Sequence, residues 1–372
     1  MTPMPAQQKS DLSRAFAEDG ALKTHVGGQA LLEGIMMRGK YNWSVAVREP
    51  GGGIYTEEHD LPAAVRRASW LSWPVVRGCR AFVESLAIGY KALEVAVDHA
   101  FDDEGTVRDR AEAAQSAEEA RAFTAGGPVA ADATGDDAAD EADGGLSGGA
   151  MTASMVAGLV LGVVLFVVLP AFAANLIVGE YDGATLAWNL VDGLVRVAVF
   201  VGYIWLIGRM RDINRMFAYH GAEHKTIHCY EHGLPLTPEN AASFPRLHVR
   251  CGTAFLIMVM IIAIVVYTLV PLDRLILAWG VPDGAPKLAL VIFVRILLMP
   301  LIAGISYEIT VKWAGSHPEN PLVKVVLWPG MQMQYLTTRE PDAGQIECAI
   351  AAMKLVLARE EREAACAASA ER

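Results

Sequence analysis

The chain has 372 residues, 53% of them hydrophobic and only 20% charged, with a mean hydropathy of +0.30. That balance leans away from an ordinary soluble domain and toward membrane. The net charge of −11 is local: residues 102–143 carry ten of the eleven excess negatives, so a strongly acidic or nucleic-acid-binding surface is excluded.

Residues 1–24 form a mixed polar tail with no apolar core of a secretory leader, and the N-terminus is expected to stay in the cytoplasm. Residues 25–60 read as a small β unit, with Ser44–Arg48 and Ile54–Glu57 extended around the turn chemistry of Pro50-Gly51-Gly52-Gly53. Ahead of them runs GGQALLEGIMMRG from Gly27. Its glycines and Arg38 can cradle an anion through backbone N–H groups, although the spacing is not that of a phosphate loop. The plainer expectation is a tight turn packed on the rest of the protein, with Glu33 and Arg38 near the histidine-rich segment described below.

Residues 62–100 read as helical, broken at Pro74, and too charged to span a bilayer; they suit an interfacial or bundle-packed helix. The Ala/Gly/Asp tract 102–148 is low-complexity and expected to be a disordered acidic linker. Four apolar runs follow, at 153–178, 188–208, 253–270 and 288–306, each long enough to cross a hydrocarbon layer. A buried soluble helix is the alternative for any one run; four in one chain favour a membrane domain. The link between the second and third runs carries Arg209, Arg211, Arg215, Lys225, Arg246 and Arg250, whereas the link between the first two has no Lys or Arg. The positive-inside bias places that long link and both termini in the cytoplasm. Arg196 and Arg295 are costly at membrane depth unless paired; Asp192, four residues before Arg196, is the expected partner, and an ion path is the functional alternative.

Four of the nine histidines fall in the thirteen residues His220–His232. His220 and His224 are four apart, so one helix face presents both imidazoles to one metal ion. Glu223 completes H-x-x-E-H, the inverted zincin spacing, in which the glutamate does not ligate but takes a proton from the activated water. This reading requires the second span to continue as helix through His224. A second polar cluster, Arg246 to Thr253, stands where the third span begins. His248, Glu231 or Cys251 is then the third ligand, with His228 and His232 in a possible second set. Arg250 is a candidate to steady a developing anion, and Glu308 is either a supporting carboxylate or a solvated helix end. The alternative is that the whole cluster is a hydrogen-bonded, solvated face. The C-terminal segment 307–372 is assigned to the cytoplasm, with an amphipathic helix at Gln345–Arg362.

The chain resembles the YqhQ-like family of bacterial multi-pass membrane proteins through four blocks: GGQALLEGIMMRG, YHGAEHKTIHCYEHGLPLTPEN, RLHVRCGTAF and PGMQMQYLTTREPDAGQIECAI. The resemblance implies a bacterial cell-membrane location and a metal-dependent enzyme. It also implies His220, Glu223 and His224 as the core, with Glu231, His248, Arg250 and Cys251 around them.

The expected fold is mainly α: a four-transmembrane-helix bundle with a small cytoplasmic N-terminal α+β part and a C-terminal cytoplasmic helix. The expected function is a membrane-embedded, zinc-dependent hydrolase acting on a peptide, lipid or phosphoester at the cytoplasmic face. In that reading His220, His224 and His248 ligate, Glu223 is the base and Arg250 assists. The competing expectation is a non-enzymatic scaffold, carrier or sensor with a structural His/Glu cluster. The oligomeric state is not readable.

Overall fold

The computed structural model describes residues 12–17, 25–61, 73–100, 148–181, 185–270, 272–317 and 320–370. The expectations for most of the N-terminal tail, for 62–72 and for the acidic linker up to residue 147 lie outside the described residues.

After a short helix α1 (Leu12–Ala17), strands β1 (Gly27–Leu31), β2 (Gly34–Arg38), β3 (Asn42–Arg48) and β4 (Ile54–Asp60) form an antiparallel meander in the order β1-β2-β3-β4. The Gly27–Gly39 segment is a hairpin, with Leu31 opposite Gly34, in keeping with the plainer expectation of a tight turn. The strand pleat splits the apolar residues between two cores. Leu31, Met36, Val45 and Val47 face α2 (Val76–Ala100), while Ile35, Met37 and Ala46 face a core shared with the C-terminal helix. Glu33, at positive φ in the turn, receives both a 2.6 Å and a 2.5 Å bond from Arg215. Arg38 pairs instead with Glu84 on α2.

The apolar runs form α3 (Gly148–Val163), a π-helical turn Val164–Val168, α4 (Leu169–Val178), α5 (Thr185–Ile207), α8 (Gly252–Leu269), α9 (Leu272–Trp279) and α10 (Ala285–Tyr307). Between them lie α6 (Arg211–Glu231) and α7 (Pro238–Ala242); after α10 come a π-helical stretch Glu308–Trp313 and a single helical turn Ala314–Ser316, and α11 (Pro321–Thr337) and α12 (Ala343–Ala370) complete the order. Among the described residues three helical stretches are long and apolar enough to cross a membrane: Val156–Val178, Leu186–Ile207 and Ala285–Trp313. The third expected run reaches that standard only jointly, as Phe255–Leu269 with Leu272–Trp279, bent by 47°, which brings the number to four.

The buried charged groups Asp192, Arg196 and Arg295 inside this bundle are paired with one another. Asp192 Oδ2 accepts from Arg196 at 2.9 Å and also from Arg295, and Arg295 donates to Asn189 Oδ1 at 2.5 Å. The α2 helix docks on the end of α10, where Arg77 grips Glu308 through bonds of 2.8 and 2.5 Å. Glu308 is thus a docking group, remote in role from the histidines.

The second span ends at Ile207, beside the expected 208, and the helix that carries His220 and His224 is a separate one rather than the span's continuation. The α5 helix stops at Ile207, the chain turns through Gly208–Met210, and α6 starts anew with Met210 extended at φ −67°, ψ 138°. This break lets α6 leave the line of α5 and lie against β1 and α12, with the end of α11 reached at Thr337. The Gln345–Arg362 helix is seen as the longer α12, and α11 before it was not anticipated.

Candidate metal centre

On α6 the helical period aligns His220, Glu223, His224, His228 and Glu231 along one side, because steps of three and four residues return to the same face. The segment Arg246–Cys251 lies along that side. His224 Nδ1–H donates to the Arg246 carbonyl at 2.6 Å, and His228 Nε2–H to the Leu247 carbonyl at 3.0 Å. The α11 helix fixes the segment from behind. Gln334 accepts from the His248 N–H at 2.9 Å and donates to the His248 carbonyl at 2.8 Å. The same helix takes His220: its Nδ1–H donates to the Thr337 carbonyl at 2.9 Å. Gly221 makes this approach possible, since a Cβ there would overlap the Arg339 backbone.

Two clusters of three donors result. In the first, ligand atoms of His220, His224 and Cys251 all lie within 4.8 Å of one another. A carbonyl only accepts, so each Nδ1 carries its proton and each Nε2 presents a lone pair inward. His220 Nε2 stands 3.2 Å from Cys251 Sγ. His224 Nε2 is buried with no hydrogen-bond partner among the described residues. Cys251 is the N-cap of α8, its Sγ receiving the Thr253 N–H at 3.4 Å and lying 3.2 Å from Thr253 Oγ1. The second cluster, His228, Glu231 and His248, is fully buried. There His248 Nε2–H points at Glu231 at 3.4 Å, its Nδ1 accepts the Arg250 N–H at 3.2 Å, and the Arg250 guanidinium pairs with Glu231.

His220, Glu223 and His224 therefore come together as the spacing predicts, but the third donor beside them is Cys251. His248 is turned to Glu231 because Gln334 holds its backbone and Arg250 caps its Nδ1. Arg250 neutralises Glu231 and does not line the cavity described below. His232 closes the helix, its Nδ1 bonding the His228 carbonyl at 2.8 Å, outside both clusters.

The electrostatics follow from burial. Burial pulls His224 down to about 4 against the upward pull of Cys251, and burial with His228 and Arg250 holds His248 well below the usual imidazole range, so both stay neutral and keep a lone pair. Burial pushes Glu223 up to about 7, against the pull of His220 and the Gly28 N–H bond. For Cys251 burial acts upward, but His224 and the Thr253 bonds outweigh it and the thiol is shifted down.

Glu223 opens onto a cavity of about 470 Å³ that also touches His220, Cys251, Gly28, α2, the end of α5 and the start of α8. Gly28 is the tight point: a Cβ there would stand 2.7 Å from the Met36 carbonyl and 2.9 Å from Glu223 Cδ. Gly28→Ala is expected to lower stability by about 1–3 kcal/mol through overpacking, read as thermal unfolding of detergent-purified protein. Gly27→Ala, with nothing within 4 Å of its Cβ, serves as the neutral comparison and should stay within about 0.5 kcal/mol of wild type.

Fold and site together define an apolar helical bundle with a small sheet, carrying a histidine–cysteine centre where one apolar helix begins. The chain belongs to the DUF1385 family, described as "Protein of unknown function", whose match covers residues 73–359. It is similar to the "Uncharacterized protein YqhQ" of Bacillus subtilis (strain 168), 29% identical over 328 residues, which cover 87% of this chain and 89% of that protein. No solved structure matches the chain.

Proposed function

We propose that this protein is a metal-dependent hydrolase of the bacterial cell membrane, with its centre at the cytoplasmic face. The observation that carries the reading is the convergence of His220 Nε2, His224 Nε2 and Cys251 Sγ within 4.8 Å, next to a carboxylate that opens onto a cavity. Tetrahedral zinc ligands stand roughly 3.3–3.6 Å apart, so a small adjustment of these side chains suffices. The donor set fits a borderline metal: two neutral imidazoles oriented by carbonyls, and a thiol biased toward thiolate. The orphaned His224 Nε2 supports the same reading, because a buried imidazole lone pair without a partner is costly.

A divalent metal bound here supplies a Lewis acid and an activated water. The protein's own part is to hold the donors, to shield the centre beneath β1, and to move a proton through Glu223. Gly28 N–H positions that carboxylate. The membrane location rests on the three to four apolar helices, and the cytoplasmic side on the Lys and Arg of the long link.

The test is metal content of chelator-free, detergent-purified protein. About one zinc per chain is expected, lost in His224→Ala and in Cys251→Ser and kept in His232→Ala. Stripping the metal should expose Cys251 to alkylation, and restoring it should protect the thiol. A second reading, a structural or sensing cluster without catalysis, is favoured by the internally paired His228–Glu231–His248–Arg250 group. Folded protein that takes up no metal would move the weight there.

A further inference from the structure

The cavity beside Glu223 has a composition that discriminates among substrates. It is walled by Phe82 and Leu86 of α2, Phe200 and Ile204 at the end of α5, Leu256 at the start of α8 and Met333 of α11. Its ionisable groups are His220, Glu223 and Cys251, and Gln29, Ser85, Thr253 and Thr337 are its neutral polar residues. Among the described residues no Lys or Arg lines it. Its volume of about 470 Å³ lies in the range of about 300–1,000 Å³ usual for small-molecule sites.

Position adds a second argument. Phe200 and Ile204 belong to the last turns of one candidate span, and Leu256 to the first turn of another. At the mouth Leu86 is 58% exposed, Leu256 43% and Phe82 41%, with the Phe82 and Phe255 rings 6.5 Å apart. A hydrophilic peptide would leave these walls unsatisfied. A phosphoester would find no Lys or Arg in the cavity, so the proposed metal alone would carry its negative charge beside Glu223. An apolar chain entering from the bilayer satisfies both the walls and the absence of Lys and Arg. Contact with bulk lipid alone does not explain the arrangement, because the apolar walls run inward to Glu223, itself buried.

We propose that the cavity receives the acyl chain of a membrane lipid and brings a neutral acyl ester to His220, Glu223 and Cys251. This rests on the hydrolase reading above for its chemistry, but not for its occupant. In the reaction the hydroxyl of water bonds to the acyl carbon and the acyl C–O bond breaks. The departing alkoxide takes the proton that Glu223 removed from the water, giving a fatty acid and an alcohol.

The experiment uses the full chain in vesicles of dioleoyl phosphatidylethanolamine and phosphatidylglycerol, with a trace of phosphatidylcholine carrying a diazirine on one acyl chain. Photo-adducts are mapped by peptide mass spectrometry, and oleate release and bound zinc are measured on the same preparations. Expected are adducts on Phe82–Leu86 and Gly252–Leu256 that fall at least fivefold in Leu256→Trp, while adducts at outward-facing Leu159 and Phe293 are unchanged. Oleate release should fall at least tenfold in that variant with its zinc retained. Cavity segments labelled no more than Leu159 and Phe293, or labelling indifferent to Leu256→Trp, would overturn the acyl-chain cavity. Release of a phosphorylated headgroup in place of oleate, or cavity labelling without oleate release by zinc-replete protein, would overturn the ester step. Cavity labelling in a protein that binds no metal would sink the hydrolase reading and support the acyl occupant.

Discussion

Glu223→Gln is expected to retain metal and fold while losing about 10²–10⁴-fold in hydrolytic turnover, the usual contribution of a positioned acid–base group. The substitution is close to a pure removal of proton-transfer capacity. Glutamine has the same shape, and its amide oxygen can accept the Gly28 N–H that the carboxylate accepts now. Its neutrality suits the site, because burial already drives Glu223 toward its uncharged form. The ligand atoms on His220, His224 and Cys251 are untouched, so bound zinc and the alkylation pattern of Cys251 should match wild type. Oleate release from vesicles and metal analysis on one preparation decide the matter. Full turnover with full metal would remove Glu223 from the chemistry, whereas loss of metal would show that its carboxylate ligates.

The part of this centre readable in the sequence is the part that one helix carries. His220, Glu223 and His224 sit at i, i+3 and i+4, and any helix through them shares a face whatever its tertiary setting. The third donor was not readable in this way, because it depends on which residue of a non-helical segment is turned inward. Cys251 faces the two imidazoles as the N-cap of α8, and His248 faces Glu231 because Gln334 clamps its backbone. Gln334 lies 86 residues further along on α11. The only sequence signal for that helix was the PGMQMQYLTTREPDAGQIECAI block, a mix of Pro, Gln and Thr without a clean apolar period. It supplies both Gln334 and the Thr337 carbonyl that orients His220.

The sheet shows the same limit from another direction. β2 and β3 are buried on both faces, one against α2 and the other against α12, so their residues do not alternate between apolar and polar. The run GIMMR then offers no period of two, and its glycines read as turn. The edge strands β1 and β4 are only partly covered. The apolar helices were legible because apolar runs of this length, two of the four without any charge, have few other solutions. The end of the second span at Ile207 was marked by the end of its apolar run at 208, although no proline stands there.

Asp192→Ala is expected to be the most destabilising single change in the helical bundle, at about 3–5 kcal/mol, the cost of leaving a buried ionic partner uncompensated. One oxygen, Asp192 Oδ2, takes both Arg196 and Arg295, so a single truncation unpairs two guanidinium groups. Arg295 would retain Asn189 and lie over the rings of Trp188 and Tyr267, with its guanidinium carbon 4.7 and 4.4 Å from their centroids. Those contacts are weaker than a buried ion pair and do not offset two stranded charges. Asp192→Asn keeps an acceptor but not the charge, and should fall between alanine and wild type in thermal unfolding of the purified protein. The decisive comparison is Asp192→Leu/Arg196→Met/Arg295→Met, which removes all three charges together. If the cluster serves only to join α5 to α10, this protein should unfold close to the wild-type temperature, because replacing a whole buried ionic group by apolar residues is often neutral or stabilising. It should also keep its zinc and its oleate release, since Asp192 belongs to the first turns of α5 and the centre lies beyond the helix's far end. A stable triple variant without turnover would instead make the charges part of an ion or proton path to the centre.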